Sequence, residues 1–317
     1  MTEGTWPQVA VVGAGAVGCY CGGMLGRAGA PVTLIGRPVH VEASERDGLL
    51  LETMRFTERV RVAASTEIAA ARGAALVLCC VKSTDTEATA QSLAPHLSPD
   101  AVVLSMQNGV DNLERLRRHV PGPAFAAVVY VAAAMAGPGH VRHTGRGDLL
   151  IGALPPDEQS TAQPVLERVA GWLQRADIPC VVSDNVEGEL WAKLLINCAY
   201  NAISALGRAR YRRIGAHPQA LGVLKDAVRE VIAVAQAAGV RLPDGDLVEA
   251  ACSISRSMAG ATSSTAQDIA RGKRTEIDHL NGYVVRRGEE VGVATPVNRT
   301  LHALVRLLEE AEPDEAR

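Results

Sequence analysis

Two kinds of hydrophobic spacing divide this 317-residue chain. In the first half, short β-branched apolar runs at 8–13, 31–35, 49–53, 58–63, 75–81 and 101–105 read as strands. Between them, 16–29, 39–47, 84–95 and 110–119 carry apolar residues at helical spacing. Such alternation predicts a parallel sheet with helices on its faces. After Pro121 and Pro123 the segments 125–135, 139–144 and 148–152 are short, β-rich and punctuated by glycine, which predicts further strands on the same sheet; 160–176 and 178–182 add a helix and a strand. From Glu187 onward the strand pattern stops. The stretches 187–206, 217–239, 244–259, 275–291 and 296–311 keep helical spacing, with breaks at His217-Pro218, Gly239, Pro243, Gly260 and 292–296. The fold class is therefore α/β: a doubly wound sheet over 1–184, then an all-α domain over 185–317. No low-complexity linker separates them, so a cleft between the two is expected. The charged tail 309–317 is expected to fray.

The first predicted strand runs directly into Gly13-Ala14-Gly15-Ala16-Val17-Gly18 and a helix of small residues. In a G-x-G-x-x-G loop between strand and helix, the first glycine permits the tight turn and the second lets phosphate approach the backbone. The third lets the helix pack close to the strand, and the helix N-terminus offers N–H groups to the anion. The segment reads as a dinucleotide pyrophosphate site. At the end of the second strand, where an acid would accept a ribose 2′-hydroxyl, the chain has Gly36-Arg37 and no acid before Glu42. That favours a 2′-phosphate, and hence NADPH/NADP over NADH. Lys82 and Asn108 follow the strands at 75–81 and 101–105, at the carboxyl edge where ligands bind in open α/β sheets.

Composition narrows the partners. A net charge of −3 supplies no broad basic field for nucleic acid. The N-terminus lacks a basic region followed by an apolar stretch, and no segment reaches the roughly 20 apolar residues of a membrane span, so a cytoplasmic protein is expected. The seven cysteines form no C-x-x-C pair and no zinc-ligand spacing; buried thiols and no metal are expected.

In the helical half, Lys193, Asn197 and Asn201 recur every four residues and share one face of an otherwise apolar helix. Asparagine lowers helix propensity without adding charge, so this stripe reads as functional. A partly buried lysine loses its proton more readily and can act as a general acid near neutral pH, and the amides suit a polar substrate. Further polar residues lie at Ser263-Ser264 and at 274–278. Glu276 and Asp278, two apart, point in different directions, so one is expected inward and the other solvated; an ordinary helix start at Thr275 remains the alternative.

Taken in order, Gly13-x-Gly15-x-x-Gly18, Lys82, Gln107-Asn108-Gly109, the Lys193/Asn197/Asn201 stripe, Ser264 and Thr275-Glu276-Ile277-Asp278-x-x-Asn281-Gly282 resemble the ketopantoate reductase family. The resemblance spans nearly the whole chain. It implies a Rossmann-type doubly wound sheet followed by an all-α C-terminal domain, and NADPH-dependent reduction of a small 2-oxo acid, 2-dehydropantoate, to (R)-pantoate on the route to pantothenate and coenzyme A. It also implies that Lys193 is the proton donor and Glu276 a catalytic partner near the nicotinamide ribose. Asn108 would bridge cofactor and substrate, Ala134 would lie beside the cofactor, and Asn197, Asn201 and Ser264 would hold the substrate. A homodimer is the assembly to test. Two departures bear on the substrate. Ala261 stands where the family often has Asn, and the loop 207–213, with Arg208, Arg210, Arg212 and Arg213, is unusually basic. Rival readings are a paralogous reductase of another branched 2-oxo acid and an NADP(H)-binding sensor without turnover.

Overall fold

The computed structural model of the chain describes residues 5–310, which fall into two compact units that divide between Val186 and Glu187. Of the tail expected to fray over 309–317, Glu309 and Glu310 are helical, and 311–317 lie outside the described residues.

The first unit is built on one ten-stranded sheet. Its strands are β1 (Val9–Val12), β2 (Val32–Ile35), β3 (Leu49–Glu52), β4 (Thr57–Val60), β5 (Ala63–Ser65), β6 (Leu76–Cys79), β7 (Val102–Ser105), β8 (Ala124–Gly137), β9 (His140–Gly152) and β10 (Cys180–Val182). They lie in the order β4-β3-β9-β8-β7-β6-β1-β2-β5, with β10 beside β9. Helices α1 (Ala16–Arg27), α2 (Pro38–Asp47), α3 (Thr86–Leu93), α4 (Asn112–Arg117) and α5 (Gln159–Arg175) connect or flank them. Every residue of β1, β6 and β7 is buried, as expected of central parallel strands covered on both faces.

Register decides where a ligand can sit. Val12 aligns with Ile35 on one side and Cys79 on the other, and Cys79 aligns with Ser105. The carboxyl ends of β1, β2, β6 and β7 are therefore level, and the loops starting at Gly13, Gly36, Cys80 and Met106 leave the sheet along one edge. From β1 the chain winds to β2 on one side and later returns to β6 on the other, so the topological switch lies beside β1.

The sheet is mixed, not wholly parallel: β3 with β4 and β8 with β9 are antiparallel. The three short strands expected over 125–152 are two long ones, because β9 continues straight through Gly145 and Gly147. Register shifts near Ala132 and Met135 absorb the irregularity that the glycines signal.

The second unit contains α6 (Val186–Leu206, which starts one residue before the boundary), α7 (Tyr211–Ala216), α8 (Pro218–Ala237), α9 (Leu247–Ser257), α10 (Ser264–Ala270), α11 (Asn281–Val291) and α12 (Pro296–Glu310). Sequence spacing missed α7 and α10, which span six and seven residues, too few for a 3.6-residue period to declare itself. The helix expected over 275–291 is divided. Thr275 Oγ1 accepts from the Ile277 amide, a single tight turn covers Ile277–His279, and Leu280 leaves helical geometry at φ −112° and ψ −102°. Among the described residues no helix is long and apolar enough to cross a membrane.

Candidate active site

In the first unit the site is made largely of backbone. Gly13 has φ +105°, and a Cβ there would come within 2.6 Å of the Cys80 carbonyl carbon and the Val81 nitrogen. The turn after β1 thus presses directly on the turn after β6. At Gly18 a Cβ would collide with the Gly13 carbonyl oxygen and stand 2.9 Å from Val11 Cγ1, so only glycine lets α1 start this close to β1. Gly15 is the opposite case: a Cβ there would meet nothing within 4 Å. The loop is closed against the protein at its first and third glycines and open at its second, and no side chain caps the N-terminus of α1. This arrangement fits a pyrophosphate lying over Gly15 with Ala16 and Val17 in the first turn. Ala14 is buried beneath it against Gly36.

Arg37 follows Gly36 at the end of β2 and is exposed at the start of α2. Lys82 is half-buried and opens the turn Ser83–Asp85 after β6; Asn108 is half-buried after β7. These two turns are joined by a polar network that the sequence reading did not anticipate. Ser83 Oγ donates to the Asn108 carbonyl (2.7 Å), to which Asn112 Nδ2 also donates (2.6 Å). Thr86 Oγ1 donates to Asn112 Oδ1 (2.8 Å), Gln107 Nε2 donates to Thr86 Oγ1, and Arg115 Nη1 donates to the Ser83 carbonyl (2.8 Å). Ser83, Thr86, Gln107 and Asn112 are all buried. The one available signal was the four-residue spacing of Asn108 and Asn112. Ala134 lies half-buried on β8, opposite Arg142 of β9.

In the second unit the site is made of side chains on α6. Lys193 and Asn197 are half-buried and Asn201 is buried. The helical spacing therefore does mark a stripe that turns away from open solvent. Burial lowers the Lys193 ammonium from 10.5 to about 8, and the carboxylate of Glu276 acts in the opposite direction. Among the described residues Asn197 Nδ2 is buried with no hydrogen-bond partner, a donor that a polar ligand would satisfy. The Asn201 carbonyl accepts from Ser263 Oγ (3.1 Å), and the same hydroxyl accepts from the Ala266 amide (3.0 Å), capping α10. Ser263 is thus buried while Ser264, the first residue of α10, is exposed.

The two acids at 276 and 278 have separate surroundings. Glu276 is half-buried and its charge reaches Lys193. Asp278 lies 2.7 Å from His302 Nε2, with Arg274 and Arg306 at 3.4 and 3.5 Å. Burial alone would raise the Asp278 carboxyl, but the His302 hydrogen bond and the Arg306 charge outweigh it and lower it. Asp278 is therefore not a solvated acid; it is committed to α12.

Only four of the 32 basic residues are lysines, namely Lys82, Lys193, Lys225 and Lys273. Arginine cannot give up a proton near neutral pH, so a lysine on the α6 stripe retains a capacity that the commoner residue lacks. Burial pushes the thiols of Cys19, Cys21 and Cys79 up to about 12, which disfavours their thiolates near neutral pH. The basic loop resolves into two parts. Arg208 is exposed at φ +44° and Arg210 Nη1 donates to the Gly260 carbonyl (3.3 Å), whereas Arg212 and Arg213 are exposed in the first turn of α7.

Comparison with known proteins matches both halves. Residues 9–156 fit the family model described as "Ketopantoate reductase PanE/ApbA", and residues 185–309 fit "Ketopantoate reductase PanE/ApbA C terminal". The 2-dehydropantoate 2-reductase of Halobacterium salinarum is 34% identical over 95% of this chain and 98% of its own. That of Pyrococcus horikoshii is 32% identical over 95% and 97%. Among solved structures, a PanE/ApbA family ketopantoate reductase from Ralstonia eutropha JMP134 superposes with a TM-score of 0.89 at 52% identity, covering 95% of this chain and 98% of that one. D-Mandelate dehydrogenase, solved with NADH and anilino(oxo)acetate, shares the fold at a TM-score of 0.88 and 24% identity, covering 95% and 98%. With both halves matched in order and relatives above 30% identity along nearly the full length, the chain belongs to the ketopantoate reductase family.

Proposed function

We propose that this chain reduces 2-dehydropantoate to (R)-pantoate with NADPH. The observation that carries the reading is Lys193, a half-buried lysine held near 8 by desolvation, on one helix face with Asn197 and Asn201 and within the field of Glu276. Gly13, Ala14, Gly15, Ala16, Val17 and Gly18 would hold the pyrophosphate, Arg37 the 2′-phosphate, and Lys82, Asn108 and Ala134 the remainder of the dinucleotide. When bound, the reduced nicotinamide supplies the hydride to the C2 carbonyl carbon.

Protein groups handle the oxygen. As negative charge grows on the ketone oxygen, the Lys193 ammonium stabilises it and then donates a proton from Nζ, leaving a neutral amine that is reprotonated from solvent. Glu276 favours the charged lysine before the transfer. Asn197 Nδ2, which has no partner among the described residues, supplies a donor to the substrate's polar groups, with Asn201, Asn108 and Ser264 completing its recognition. A non-catalytic sensor would have no use for an acid tuned to this range.

The test is the oxidation of NADPH and, in parallel, NADH by purified protein with 2-dehydropantoate, 2-oxoisovalerate and 2-oxoglutarate. Highest kcat/KM for 2-dehydropantoate with NADPH supports the proposal. The exposed arginines at 208, 210, 212 and 213 favour one competing substrate class, a more acidic 2-oxo acid, and preference for 2-oxoglutarate would establish it. Absence of turnover with every pair would leave the sensor reading. Sedimentation of the same preparation tests the homodimer.

A further inference from the structure

The segment carrying Glu276 is anchored to α12 at several points. The Thr275 amide donates to Glu309 Oε1 (2.6 Å), Asp278 pairs with His302 and Arg306, and a Cβ on Gly282 would lie 2.8 Å from His302 Nε2. None of these contacts reaches α6, where Lys193 resides. A polar link to α6 passes through Asn281. Its side chain is fully buried, and Nδ2 donates to the Cys198 carbonyl of α6 (3.3 Å) and to Asn298 Oδ1 of α12 (2.9 Å). Asn298 Nδ2 in turn donates to Glu230 Oε2 (2.8 Å) and to the Ala227 carbonyl (3.1 Å) on α8. Glu230 also accepts from the Val297 and Asn298 amides at 2.8 and 2.9 Å. One polar chain therefore crosses four helices, from α8 through α12 and α11 to α6.

This chain is an expensive way to fill a core. Asn281 Oδ1 is buried with no hydrogen-bond partner among the described residues, and an unsatisfied buried acceptor costs about 1–3 kcal/mol that an apolar residue of similar size would avoid. Apolar contact would also hold this segment near α6, as the buried cluster that Ile277 shares with Ala202 and the edge-on contact of Trp191 with Tyr283 already do. What apolar packing lacks is direction. A hydrogen bond to one particular α6 carbonyl fixes axial register, and Cys198 lies five residues from Lys193 as Asn281 lies five from Glu276.

We propose that Asn281 is a positioning residue that registers the Glu276 turn on α6, holding Glu276 where its carboxylate acts on Lys193. It touches neither reactant and acts through that pair. The proposal concerns the site read above as catalytic, but its test requires no turnover. With only four lysines in the chain, reductive ¹³C-methylation gives few side-chain signals, and a Lys193→Arg variant assigns the one from Lys193. Its pH titration reports the pull of the carboxylate. Glu276 is the acid whose charge the structure brings to Lys193, and Glu187 and Glu189, in the first turn of α6, are the acids on the same helix to monitor.

Titrations are compared for the wild type, Asn281→Leu, Glu276→Gln and the double variant, with thermal melts confirming folding and Asn281→Ala as a smaller replacement if the leucine variant does not fold. The expected result is a lower Lys193 midpoint in Asn281→Leu, with no further fall when it is added to Glu276→Gln. If 2-dehydropantoate proves to be a substrate, kcat falls about tenfold in Asn281→Leu while dinucleotide affinity is unchanged. A folded Asn281→Leu or Asn281→Ala with the wild-type titration, or a fall that adds fully to that of Glu276→Gln, overturns the proposal. Lack of turnover by the wild type overturns only the functional reading, because the titration remains measurable.

Discussion

The loop Gly13–Gly18 and the α6 stripe solve the problem of holding a ligand in different ways. In the loop the recognition elements are backbone groups, so the sequence needs only glycine where a Cβ would collide and open space where a phosphate would lie. The α6 stripe uses side chains whose surroundings include residues far away in the chain: Lys193, lowered by burial, also feels the charge of Glu276, and Asn201 borders a cap at Ser263. A backbone site carries its specification in six consecutive residues. A side-chain site distributes it over more than eighty.

The largest effect that separates the two is expected from Lys193→Ala. Loss of the general acid should lower kcat on the order of 10²- to 10⁴-fold while NADPH affinity, followed by fluorescence titration, stays within about twofold. A variant retaining more than half the wild-type kcat removes Lys193 from that role. The converse variant is Gly13→Ala. With φ at +105° and a Cβ 2.6 Å from Cys80, the loop must shift, and dinucleotide affinity should fall at least tenfold. Unchanged affinity in this variant would contradict a backbone-built site.

A side-chain contact within the backbone-built half is the next test. Arg37→Ala should remove a charge-assisted bond to the 2′-phosphate, typically worth about 1.5–3 kcal/mol, and weaken NADPH by roughly ten- to hundredfold with no change for NADH. Equal losses for both coenzymes would mean that Arg37 does not read the phosphate. Smaller again is the effect of Glu276→Gln on proton affinity. The Glu276 carboxylate raises a lysine that burial has lowered to about 8, so its removal should move the basic limb of kcat/KM toward lower pH. A limb that stays in place, together with collapsed activity in Asp278→Asn, would transfer the role to Asp278.

The same contrast explains what the sequence disclosed. The strand–glycine–helix unit and the loops that follow β1, β2, β6 and β7 were readable because each is local; that the strand ends are level is a matter of register. The long β8–β9 pair was not, since glycines inside a strand look like strand ends until the partner strand shows the bulge. Short α7 and α10 fall below the length at which periodicity is visible. The choice between Glu276 and Asp278 could not be made from spacing: it depends on His302 and Arg306 in α12, which draw Asp278 away. Asn281 stood within a family motif, yet its bond to the Cys198 carbonyl is a tertiary fact, and Asn298 and Glu230 gave no signal at all.

The smallest expected effect concerns stability, and there the side-chain site should differ from its backbone counterpart in sign. Gly13→Ala introduces strain and can only destabilise. Lys193→Met removes a charge that the fold holds at a disadvantage, because the ammonium has a value of about 8 in the folded chain against 10.5 when solvated. Between these values the unfolded chain binds the proton and the folded chain does not, so the penalty is complete below pH 8 and disappears as pH rises through 10.5. Lys193 is half-buried and retains some access to water, which reduces the gain in the methionine variant to about 1–2 kcal/mol at pH 7. That corresponds to a rise in Tm of roughly 2–8 °C, fading toward pH 10.5. A methionine variant that melts lower than the wild type at pH 7 would show that the lysine is stabilising where it stands, and that its altered proton affinity arises from something other than burial.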